Sequence, residues 1–85
     1  MIIENRDEEL YSKFEYFNFN GIPIRTVYKE SRNPIGADTI DPRTSTLVKR
    51  ASLISPTLKD PDCEEITKEE FYLLCEQRVR ESGVA

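Results

Sequence analysis

The dipeptide Asn20-Gly21 stands between two apolar, β-prone runs, residues 17–19 and 22–24. A two-residue type I′ turn needs positive φ at both central positions, and Asn-Gly is the pair that accepts this most readily. The pair therefore predicts a hairpin with a defined register. Phe19 faces Ile22, Phe17 faces Ile24 and Glu15 faces Thr26 on one side of the ribbon. Asn18 faces Pro23, Tyr16 faces Arg25 and Phe14 faces Val27 on the other. With two phenylalanines and two isoleucines, the first side is the expected core face. Pro23 adds a condition. The closing pair, Phe19 and Ile22, is hydrogen-bonded, so position 23 turns its nitrogen away from the hairpin partner. A residue without an N–H is accepted there only at an edge or beyond the reach of another strand.

Punctuation by proline and glycine predicts the remaining elements. Residues 31–36, SRNPIG, read as a loop. A second hairpin joins residues 37–41 to residues 46–50 through 42–45, where Asp41 followed by Pro42 suits a type I turn. Across 45–58 a helix competes with a strand, since Leu47, Ala51, Ile54 and Leu58 have helical spacing. The expectation is a strand over 47–50 and then a bend or short helix over 52–58, limited by Pro56. Residues 60–65, DPDCEE, read as a turn-rich connector. Thr67 and Glu70 form a capping box, with Ile66 and Phe71 as its hydrophobic staple. Phe71, Leu74, Cys75, Arg78 and Val79 then lie on one helical stripe, and Gly83 is a suitable C′ residue. At the start of the chain, Asp7 can cap a short helical turn through Glu8, Glu9 and Leu10, with Leu10 and Phe14 on one face.

These elements predict one α+β domain over residues 1–85. Its antiparallel sheet has three or four strands in two hairpins, packed by one C-terminal amphipathic helix. A chain of 85 residues buries roughly 60–65% of its unfolded surface, so a stability on the order of 5 kcal/mol is expected. Four phenylalanines and four tyrosines supply bulk for a core, although charged residues make up 33% of the chain. The net charge of −4 and pI near 4.8 disfavour non-specific nucleic-acid binding, which relies on a basic surface. No apolar run reaches the ~18 residues of a membrane span. Two cysteines without CxxC spacing, behind an acidic start, point to reduced thiols in the cytoplasm.

The chain has no histidine, which removes the usual neutral-pH base and the commonest metal ligand. Cys75 sits on the apolar stripe and reads as a small hydrophobe, and no neighbour in sequence activates Cys63. Asp60-Pro61-Asp62 lacks the glycine and closing glutamate of a calcium loop, and reads as part of a solvated acidic connector. Lys49-Arg50-Ala51-Ser52 reads as a solvated basic turn, although its pattern would also suit phosphorylation of Ser52. No catalytic, cofactor or metal site is expected. The expected function is that of a non-enzymatic cytoplasmic interaction or regulatory module. Its surface would be the sheet face away from the core: Phe14, Tyr16, Arg25 and Val27, with Lys29 nearby. Tyrosine and arginine on an open sheet favour a protein partner. The alternative is stacking of single-stranded nucleic acid on the same rings. In isolation the chain is expected to be a monomer or a weak homodimer, since lysine on an edge strand opposes edge pairing.

Overall fold

The computed structural model describes residues 11–30 and 32–82. The turn expected at Asp7 and the cap at Gly83 fall outside these residues. The fold is α+β, with a five-stranded antiparallel sheet and two helices. The strands are β1 (Lys13–Phe19), β2 (Ile22–Tyr28), β3 (Gly36–Asp41), β4 (Thr46–Lys49) and β5 (Cys63–Ile66). A 3₁₀ turn (Ala51–Leu53) runs into α1 (Ile54–Lys59), and α2 (Lys68–Glu81) follows β5. Across the sheet the order is β4-β3-β2-β1-β5.

The first hairpin has the register read from Asn20-Gly21, from Phe19 opposite Ile22 out to Phe14 opposite Val27. Asn20 and Gly21 have φ of 52° and 88°. The Asn18 Oδ1 accepts the Gly21 amide at 2.7 Å, which holds the corner. Pro23 meets its condition. The β2/β3 ladder covers Arg25, Thr26 and Val27, so no strand asks position 23 for a donor. Its carbonyl instead accepts the Thr39 hydroxyl at 2.7 Å. In the second hairpin, the Asp41 carboxylate accepts the Arg43 amide at 2.9 Å and the Asp41 carbonyl accepts the Ser45 amide at 2.9 Å. Pro56 falls in the first turn of α1, where its missing N–H leaves no intrahelical bond unmade.

Two expectations are corrected. The sheet has five strands, because residues 63–65 of the expected connector, together with Ile66, pair antiparallel with β1. The helix also lies on the other face. Phe71, Cys75 and Val79 of α2 bury against Ile40, with Tyr16, Leu47 and Ile66 packed around them. The rings of Tyr16 and Phe71 are 5.1 Å apart. The side carrying Tyr16 and Arg25, read as open, is therefore the side that α2 covers. Ile24 and Thr26 on the opposite side are buried as well, and α1 lies close to β1 and β2. As the middle strand of five, β2 is enclosed on both faces.

The capping box of α2 is complete: the Thr67 hydroxyl accepts the Glu70 amide and the Glu70 carboxylate accepts the Thr67 amide, each at 3.1 Å. Thr67→Ala is expected to lower stability by about 1 kcal/mol. Phe71→Ala, which empties the centre of the cluster, should cost about 3–5 kcal/mol and so nearly abolish folding. Urea unfolding followed by far-ultraviolet circular dichroism measures both.

Candidate functional site

Phe14, Tyr16, Arg25 and Val27 do come together, but beneath α2. Arg25 is 2% exposed and Val27 is buried, Phe14 and Tyr16 are half-buried, and Lys29 is exposed just past the end of β2. Arg25 survives in the interior because Asp38, its direct neighbour across β2 and β3, is buried beside it. The Arg25 Nε donates to the Asp38 Oδ2 at 3.0 Å, and Nη2 donates to the same oxygen. The Phe14 ring centre lies 4.8 Å from the guanidinium carbon, and Tyr11 packs edge-on against Phe14. The guanidinium thus has a carboxylate in its plane and a ring on its face. Asp38 was not identifiable from the sequence as the partner of Arg25, because the loop joining β2 to β3 does not dictate their register.

The side chains with potential nucleophilic chemistry are held in their protonated forms. Burial pushes the Cys75 thiol up to about 12, outweighing the nearby charges of Arg25 and Arg78. Burial, then the charge of Asp60, pushes the Cys63 thiol up as well. Tyr28 is raised by burial and by Glu15, whose carboxylate accepts its hydroxyl. Both cysteines are free thiols. Among the described residues no group of three or more acidic or sulfur side chains is placed to hold a metal ion. No described helix is long and apolar enough to cross a membrane.

No described strand pairs with the outer edge of β4 or of β5. Around β4, Arg43, Lys49 and Arg50 are exposed, with Asp41 at the turn. Around β5, Glu64 and Glu65 are exposed between Asp62 and the first-turn glutamates of α2, Glu69 and Glu70. Lys59 and Lys68 offset part of that charge. The two edges are thus basic and acidic. Glutamate is a poor strand former, and only Cys63 and Ile66 at its ends marked β5 in the sequence.

No protein-family model, curated protein or solved structure matches the chain.

Asp38→Asn removes the carboxylate charge that faces the buried Arg25 guanidinium. This substitution should cost about 3–5 kcal/mol, whereas replacing Arg25 and Asp38 together by apolar residues of similar volume should recover most of that loss. A double-mutant cycle in urea measures the coupling. Cys75 also gives alkaline pH a defined effect. Below its ordinary value of 9.0, both folded and unfolded chains keep the proton and stability is full. Between 9.0 and about 12 the unfolded chain releases it first. Stability should then fall by up to about 1.4 kcal/mol per pH unit. The urea midpoint should hold through neutral pH and decline above 9.0, less steeply in Cys75→Ala.

Proposed function

We propose that the chain is a small non-catalytic protein-interaction module of the cytoplasm, and that β5 is its recognition edge. A partner would add an extended, basic segment to the sheet there. The observation that carries this reading is the outer edge of β5, which no described strand covers and which carries exposed Glu64 and Glu65. Strand addition obtains affinity from main-chain hydrogen bonds and selectivity from the side chains that alternate beside them. Each carboxylate opposite a lysine or arginine adds roughly 0.2–1 kcal/mol. Free thiols at Cys63 and Cys75 fit a reducing compartment, and their raised pKa values speak against nucleophilic use at neutral pH. Stacking of nucleic-acid bases on Tyr16 and Arg25 is not favoured, since the Tyr16 ring packs on Phe71 and Arg25 is buried.

A fluorescent peptide of alternating lysine and valine is a suitable probe, with an alternating glutamate–valine peptide as control. The basic peptide should bind, measured by anisotropy, with an affinity that falls as salt is added. The acidic peptide should not. Glu64→Lys with Glu65→Lys should abolish binding of the basic peptide. Unchanged affinity in that variant would place recognition elsewhere.

A further inference from the structure

We infer that the basic strand received by β5 is the β4 edge of a second copy of this chain. The inference rests on strand addition at β5 and names its partner. Backbone direction selects the register. The Arg50 amide donates to the Ala37 carbonyl at 2.7 Å, so Arg50 turns toward β3 and the alternate residues Lys49 and Leu47 turn outward. On β1, Phe19 and Phe17 bond across the hairpin to Ile22 and Ile24, which leaves Asn18 and Tyr16 turned toward β5. Their partners Glu64 and Ile66 turn inward, and Glu65 and Cys63 turn outward. An antiparallel joint must set outward residues opposite one another.

Lys49 opposite Glu65 of the second copy satisfies that condition. The same register sets Arg50 opposite Glu64 and Val48 opposite Ile66. Two opposite-charge pairs and one apolar pair form together, each within the favourable classes of cross-strand neighbour. Like edges lack this match: β4 on β4 gathers Lys49 and Arg50, and β5 on β5 gathers Glu64 and Glu65. Lysine on an edge guards against its own kind, but it does not guard against an acidic edge. Lys49 lies on the α2 side of its sheet, in line with Asp38, whereas Glu65 lies in line with Phe17 on the other side. Successive copies are therefore turned over. The contact is heterologous, so each added copy leaves one edge free and the assembly is open-ended. With four residues in each edge strand, every joint is small and assembly requires high concentration.

Sedimentation velocity over a concentration series of the full chain at low salt tests this. The weight-average mass should pass that of a dimer without a plateau, and added salt should reverse the growth. Lys49→Glu with Arg50→Glu makes both edges acidic, and Glu64→Lys with Glu65→Lys makes both basic. Each variant alone should stay monomeric, and an equimolar mixture should assemble again. A wild-type chain that remains monomeric throughout, a plateau at dimer mass, or a mixture that stays monomeric overturns the inference. Binding of the basic peptide is read separately, so loss of self-pairing and loss of β5 recognition are distinguishable.

Discussion

The buried ion pair of Arg25 and Asp38 is the constraint around which the sheet is organised. Taking both charges out of water carries a desolvation cost of several kcal/mol per ion, which close contact repays only in good geometry. The geometry here is specific: two guanidinium nitrogens reach one carboxylate oxygen, and the Phe14 ring covers the guanidinium face. The pair also joins two independent hairpins. Each hairpin can form its own register from its turn, but the register between β2 and β3 has no turn of that kind. A slip of one residue would carry Arg25 to one face and Asp38 to the other, leaving each charge buried without the other.

Much of this architecture was legible in the sequence. Asn20-Gly21 carried the pairings of the first hairpin from Phe19–Ile22 out to Phe14–Val27, Thr67 and Glu70 marked the start of α2, and Asp41-Pro42 located the second corner. These are local signals, in which one or two residues restrict the backbone by sterics or capping. What was illegible is non-local. Phe17, Phe19, Ile22 and Ile24 make one side of the ribbon more apolar than the other. In a sheet enclosed on both sides, that difference does not choose where a helix docks. The choice follows Ile40, Leu47 and Ile66, which lie on the Tyr16 side and complete the surface that Phe71, Cys75 and Val79 need. The expected interaction face was lost for the same reason. Arg25 looked like a surface residue because its counter-charge lies in a different hairpin.

The fifth strand was missed for a different reason. Cys63–Ile66 has two glutamates at its centre, and its pairing with β1 provides the order that its composition does not. An edge strand of this kind obtains its conformation from its neighbour. No described strand takes up its outward groups, while its inward groups are spent on β1. The acidic edge is therefore a product of topology, since the same residues in a loop would present charge without an aligned row of amides and carbonyls.

The late position of β5 has a consequence for synthesis. β1 pairs on one side with β2, which follows it directly, and on the other with β5, which is made only after β3, β4 and α1. While the chain emerges from a ribosome, the first hairpin is complete early but keeps a bare flank bearing Tyr16 and Phe17. That flank is closed by β5, and its Tyr16 side is covered by α2. The first hairpin is thus a nascent-chain liability until β5 and α2 have been made. A fragment ending before Cys63 would expose an adhesive strand that the finished protein conceals.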